Sequence, residues 1–175
     1  MGLFDKLKIK ENKEIMLEEN ILEITEKRAV YNPIEGEVIS LADIGDGVFS
    51  EGIVGMGYGV RPTEGIVVAP FAGTVLQVAG TKHAIGLESN DGIELLIHVG
   101  IDTVTMNGKG FEPKVKVGDK VKCGQVLMKF SIADIEAAGF PTTAAVIVTN
   151  SDDVEAVEVQ QLGHKKKSEK ILQVK

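Results

Sequence analysis

Two histidines, His83 and His98, out of three in the chain, are the side chains whose type and spacing could do chemistry. A neutral imidazole can act as nucleophile, as proton acceptor or as metal ligand near neutral pH. The residues between them form two apolar-rich runs around Ser89-Asn90-Asp91-Gly92, a tetrapeptide of turn formers, which predicts a β-hairpin. A two-residue loop at Asn90-Asp91, or a four-residue loop from Ser89 to Gly92, sets His83 opposite His98. A loop at Asp91-Gly92 sets them diagonal. In each of these even registers both rings share one face, with Cβ atoms about 4.5–5.5 Å apart when directly opposed. Only an odd loop would separate them. The expectation is an even loop and one shared site.

Three roles stay open at that site. A zinc ion usually takes at least three protein ligands, and Glu88 and Glu94 lie towards the turn while Asp102 lies beyond the strand end. A histidine could serve as base for a Ser or Cys nucleophile, yet no nucleophile elbow occurs and Cys123 has no motif around it. In the third role one histidine accepts a phosphoryl group and the other donates an N–H to its oxygens. Thr81 can bond an imidazole nitrogen of His83 and set its tautomer. Gly100 lets backbone approach His98 closely. Two structural histidines with satisfied hydrogen bonds are the plain alternative. His164, within Gly163-His164-Lys165-Lys166-Lys167, reads as part of a solvated loop.

The elements that must position these side chains are strands. Apolar residues make up 43% of the 175, without Trp and with 20 Gly, and Val, Ile and Leu dominate. That composition predicts an all-β fold, an antiparallel sandwich or barrel-like fold with pseudo-duplicated β-units and at most short helical turns. Strands are expected at Glu23-Arg28, Gly36-Ser40, Gly65-Val68, Gly73-Val78, the two hairpin arms, Lys114-Val115, Val126-Ile132, Ala144-Thr149, Glu155-Val159 and Lys170-Val174. One helical turn is expected at Ala133-Ala138. The glycines from Gly45 to Gly59 predict an irregular loop that carries Val48, Phe49, Ile53 and Val54, either as an exposed docking patch or as core.

Residues 1–27 read as a flexible or amphipathic segment ahead of a domain at 28–175. Leu3, Phe4 and Leu7 share a helical face, which suggests weak membrane contact through residues 1–8, and Lys10 to Asn20 reads as a mobile tether. The net charge of -7 and the lack of a basic stripe argue against nucleic acid and for a basic protein partner. The single Cys123 fits a reducing compartment. No run approaches the ~20 apolar residues of a membrane span, and no signal peptide is evident. A cytoplasmic protein, peripheral at the inner membrane face at most, is expected.

The run Ile97-His98-Val99-Gly100-Ile101-Asp102-Thr103-Val104, with Thr81-Lys82-His83-Ala84 upstream, resembles glucose-type enzyme IIA of the bacterial phosphoenolpyruvate-dependent sugar phosphotransferase system. Val67-Val68-Ala69-Pro70-Phe71-Ala72-Gly73-Thr74-Val75 and Val117-Gly118-Asp119-Lys120-Val121 resemble further segments of that family. So does the opening Met1-Gly2-Leu3-Phe4-Asp5-Lys6-Leu7. The resemblance implies an antiparallel β-sandwich and a phosphotransferase component. His98 would take a phosphoryl group on Nε2 from the carrier HPr and pass it to a cysteine of a permease IIB domain, supporting uptake of a sugar, glucose by default. It further implies that His83 stabilises the group, that Thr81 orients His83, and that a carbonyl near Gly100, beside Asp102, supports His98. Val48, Phe49, Ile53, Val54 and Val104 would rim a shallow apolar depression. No cofactor is required, although a zinc held by His83, His98 and a partner's carboxylate would suit an interface. Regulatory proteins could read the phosphorylation state.

Two alternatives are weighed against this reading. The pattern from Val115 to Leu127, followed by Met128-Lys129, resembles biotinyl and lipoyl domains, which need the lysine at an exposed hairpin tip. The duplicated β-pattern also resembles zinc peptidases of the glycyl-glycine type, which need an Asp ligand and a His-x-His pair that this chain lacks.

Overall fold

Side-chain alternation carries most of the architecture. The computed structural model describes residues 2–175, and for residues 12–18 the backbone alone. Helix α1 (Leu3–Glu18) is followed by strands β1 (Ala29–Tyr31), β2 (Gly36–Ser40), β3 (Met56–Pro62), β4 (Ile66–Val68) and β5 (Gly73–Val78). Next come β6 (Ala84–Ser89), β7 (Glu94–His98), β8 (Phe111–Pro113), β9 (Lys120–Val121) and β10 (Val126–Phe130). Helix α2 (Ile132–Ala137) then leads to β11 (Ala144–Val148), β12 (Val157–Val159), β13 (Gly163–Lys165) and β14 (Lys170–Val174).

Eight strands form one sheet in the order β13-β2-β3-β11-β7-β6-β5-β9. Two three-stranded sheets, β1-β14-β12 and β4-β10-β8, complete the antiparallel fold. Leu95 and Ile97 of β7 point inward with Leu87 and Ile85 of β6, and all four are buried. Each such aliphatic side chain contributes about 1.5–3 kcal/mol on burial. Strand β11 is buried along its whole length because core covers both its faces. On its outer face Ala145 and Ile147 meet Phe49, Leu41, Ile44, Val54 and Leu96 in a second, smaller cluster.

Several elements depart from expectation. The glycine-rich stretch contains a regular inner strand, β3, paired with both β2 and β11. Its glycines are packing devices: a Cβ on Gly57 would fall 1.9 Å from the Val146 carbonyl oxygen. No strand forms at Glu23-Arg28, and the pairing begins at Ala29. The strand expected at Lys114-Val115 lies earlier, at β8, while the expected helical turn is α2, capped by Ser131 Oγ accepting from the Asp134 amide. Helix α1 spans 16 residues, longer than a short turn. High charge suggested a tether, but Lys and Glu are good helix formers. The chain after it is tied down: the Leu22 amide donates to the Cys123 carbonyl at 3.0 Å, and Gln173 Nε2 donates to the Lys27 carbonyl at 3.0 Å.

The central hairpin is the sharpest correction. Ala84 lies opposite His98 and Glu88 opposite Glu94, and the Ser89 amide donates to the Ile93 carbonyl. The loop is therefore Asn90-Asp91-Gly92, an odd one, with Gly92 left-handed at φ 91°, the bulged type that three-residue hairpins favour. Regular alternation in this register would send His83 to the core face and His98 to the outer face.

Candidate active site at the end of the central hairpin

The two imidazoles nevertheless meet, with ring centroids 4.6 Å apart and planes at 78°. Alternation binds only residues inside a regular strand, and His83 precedes the first residue of β6. It follows Lys82, whose φ of 63° is left-handed, in the turn closed by the Lys82 amide on the Ala79 carbonyl. One ladder bond still holds its backbone, from the Val99 amide to the His83 carbonyl at 2.8 Å. His98 is the last residue of β7. Both rings therefore lean round the end of the sheet. The neighbours across from His98, Ala84 and Ala145, are small enough to leave it room.

Each ring has one nitrogen engaged. His98 Nδ1 lies 2.9 Å from the Gly100 carbonyl oxygen. A carbonyl only accepts, so Nδ1 carries the proton and Nε2 keeps its lone pair. Gly100 has φ 78°, and a Cβ there would lie 2.3 Å from Thr103 Cγ2. Buried Thr103 donates its hydroxyl to the Val99 carbonyl, which fixes the turn that aims the Gly100 carbonyl. His83 Nδ1 lies 2.8 Å from Thr81 Oγ1. When that hydroxyl donates, the proton of His83 stands on Nε2. His83 is 7% exposed, and the Phe111 ring lies edge-on to it at 6.4 Å.

Burial disfavours the charged form of both rings. It pushes the His98 imidazole, with the neighbouring His83 adding to it, down to about 4, against opposing pulls from Gly100 and Asp46. Burial also lowers His83, partly offset by Thr81. Both rings are thus neutral at pH 7. Cys123 is buried, and burial pushes its thiol up to about 12.

A depression of about 230 Å³ opens beside His98, lined by Asp46, Val48, Phe49, Ile101, Asp102 and Val104. Phe49 packs on His98 at 5.0 Å. Of the expected rim, Val48 and Val104 are about half exposed and Phe49 closes the floor. Ile53 stands clear of the depression at 73% exposure. Val54 belongs to the cluster on the outer face of β11. Asp102 is exposed and left-handed, φ 60°.

Asp46 was not singled out from the sequence. Its carboxylate accepts the Phe49 amide at 3.1 Å and the Ser50 amide at 2.9 Å. Burial would raise this carboxyl, and the amides of Ser50, Phe49 and Val48 outweigh burial and hold it below its usual range. The legible signal was an Asp followed after three and four residues by the turn it caps.

Among the described residues no three His, Cys, Asp or Glu side chains group so as to hold a metal ion. Lys129 lies inside β10, paired to Ile66 on one side and Glu112 on the other, and so occupies no hairpin tip. No helix among the described residues is long and apolar enough to cross a membrane.

Residues 28–154 match the family model described as phosphoenolpyruvate-dependent sugar phosphotransferase system, EIIA 1. The chain is 41% identical over 140 residues to the PTS system glucose-specific EIIA component of Staphylococcus epidermidis, covering 80% of this chain and 84% of that protein. It is 42% identical over 146 residues to the PTS system beta-glucoside-specific EIIBCA component of Bacillus subtilis, covering 83% of this chain but 24% of that longer relative. The solved glucose permease IIA from Mycoplasma capricolum superposes with a TM-score of 0.76 at 29% identity, over 82% of this chain and 93% of that one.

Proposed function

Because the chain belongs to the EIIA 1 family of the phosphoenolpyruvate-dependent sugar phosphotransferase system, we propose that it carries a phosphoryl group on His98. The observation that carries the reading is the bond from His98 Nδ1 to the Gly100 carbonyl, which leaves Nε2 as the attacking nitrogen. In acceptance, the P–N bond of the donor, phosphohistidine of HPr, breaks as a bond forms between phosphorus and His98 Nε2. Nδ1 keeps its proton throughout, donating it to the Gly100 carbonyl. His83, tied through Nδ1 to Thr81, donates Nε2–H to a phosphoryl oxygen. In delivery the new P–N bond breaks and phosphorus passes to the sulfur of a cysteine thiolate on a permease IIB domain.

Positioning and charge stabilisation carry phosphoryl transfer, so two oriented imidazoles suffice. The apolar rim keeps water from the phosphorylated ring. Asp46 and Asp102 give the depression negative charge that suits a basic donor surface. Glucose is the sugar we assign, as in the name of the free-standing relative from Staphylococcus epidermidis.

The test is incubation with labelled phosphoenolpyruvate, enzyme I and HPr. The expected product carries one acid-labile phosphate, absent in His98→Ala. Labelling of that variant would remove His98 as the carrier.

A further inference from the structure

The carbonyl that orients His98 belongs to the most pliant type of residue. Gly100 has φ 78°, and glycine visits right- and left-handed backbone alike. Two peptide units flank it, and both must be held if its carbonyl is to stay on His98 Nδ1. The unit after Gly100 is held by the Ile101 amide, which donates to the Pro141 carbonyl at 3.1 Å. The unit before it is held through the Val99 carbonyl, which accepts the Thr103 hydroxyl. One step further back, the Val99 amide donates to the His83 carbonyl at 2.8 Å. A single residue, Val99, thus links the turn at His98 to the backbone of His83.

Thr103 has the marks of a residue kept for this one bond. Its side chain is fully buried, and a buried hydroxyl is costly unless it is paired. Valine would fill much the same space with no hydroxyl to satisfy. Val99 is fully buried as well, and among the described residues no loop amide donates to its carbonyl. The branched side chain of Thr103 restricts its χ1, and its methyl lies 2.3 Å from where a Cβ on Gly100 would stand. Hydroxyl and methyl therefore both bear on the Val99–Gly100 segment.

We propose that Thr103 is a positioning residue for phosphoryl transfer: its hydroxyl, through the Val99–Gly100 peptide, keeps the His98 proton on Nδ1 and so leaves Nε2 as the bare nitrogen. The inference rests on the phosphocarrier reading. Without the hydroxyl, Gly100 is anchored on one side, through Ile101 and Pro141. Its carbonyl then turns from His98, and the proton divides between the two ring nitrogens. Molecules with the proton on Nε2 offer no lone pair there. The Val99 amide shifts with its carbonyl, so the backbone of His83 loses a fixed partner in the same event.

The test reads the tautomer of His98 by nitrogen NMR and, separately, its labelling by phosphoramidate, which transfers its phosphoryl to a ring nitrogen and releases ammonia. Wild type is expected to show a protonated Nδ1 and a bare Nε2. Thr103→Val, which keeps the methyl and loses the hydroxyl, is expected to show mixed tautomers and about tenfold slower labelling, the effect of one net hydrogen bond. Thr103→Ser, which keeps the hydroxyl, is expected to retain the wild-type tautomer and to be labelled within about twofold of wild type, its freer χ1 accounting for the loss. Wild-type tautomer and rate in a folded Thr103→Val overturn the positioning role. Loss of the tautomer in Thr103→Ser overturns it too, and that arm decides the matter should the valine variant not fold. A wild-type chain that neither phosphoramidate nor phosphorylated HPr labels overturns the phosphocarrier reading itself, and the proposal with it.

Discussion

The nucleophilic attack proposed for His98 needs a neutral imidazole, and the burial of that ring yields a quantitative prediction. Burial first, and the adjacent His83 second, lower its imidazole from an ordinary 6.5 to about 4. At about 1.4 kcal/mol per pH unit, the site disfavours the imidazolium by roughly 3 kcal/mol. At pH 5.5 an ordinary histidine is about 90% protonated, whereas His98 is about 3% protonated. Labelling of His98 by phosphoramidate, with no partner protein present to titrate, is therefore expected to stay flat from pH 8 to about 5 and to halve near pH 4. Nitrogen NMR of the His98 ring should report the same midpoint. His83→Gln removes the lesser cause, so its midpoint should rise yet stay below 6.5. A wild-type midpoint near 6.5 would refute the argument. So would a variant midpoint restored fully to 6.5, which would assign the shift to charge and not to burial. The stability consequence has a definite sign. Between pH 6.5 and about 4 the unfolded chain binds a proton that folded His98 does not, so this contribution is present above 6.5 and is lost as pH falls through the window.

Gly100→Ala should destabilise the fold by about 2–4 kcal/mol through left-handed strain and the clash with Thr103, and should slow labelling as the carbonyl turns from His98; a thermal midpoint within a degree of wild type would contradict this. His83→Gln should keep acceptance from the donor better than onward transfer to the permease, read by single-turnover rates of the two half-reactions; equal losses in both would deny His83 a separate role. Cys123, with its thiol raised to about 12 by burial, should resist alkylation at pH 8 until urea unfolds the chain, as intact mass would show; prompt single labelling of the folded protein would show the site to be open.

Much of the fold was legible where burial repeats with a strand's period. β5 and β14 stand where alternation and turn residues set them, and β7 shows the inward Leu95 and Ile97 that its sequence predicts. The glycine-rich β3 was not legible, because glycine reports nothing about facing. Its strand state depends on the close approach to Val146, a residue distant in sequence. Val54 and Ile53, adjacent and both apolar, have opposite fates because the second cluster on β11 covers only the first.

The sequence by itself determined which residues could do the chemistry. The His-x-Gly spacing brings a carbonyl within reach of His98 Nδ1, and the Thr-x-His spacing brings a hydroxyl within reach of His83, because contacts two residues apart depend on local backbone alone. Whether the two rings meet was settled by tertiary structure. The loop is odd, and strand alternation in that register would part them. They converge because His83 lies just outside β6 behind left-handed Lys82, where the period of two no longer governs direction. Register and strand ends are set by pairing across the whole sheet and by the core beneath it, and no tetrapeptide specifies them.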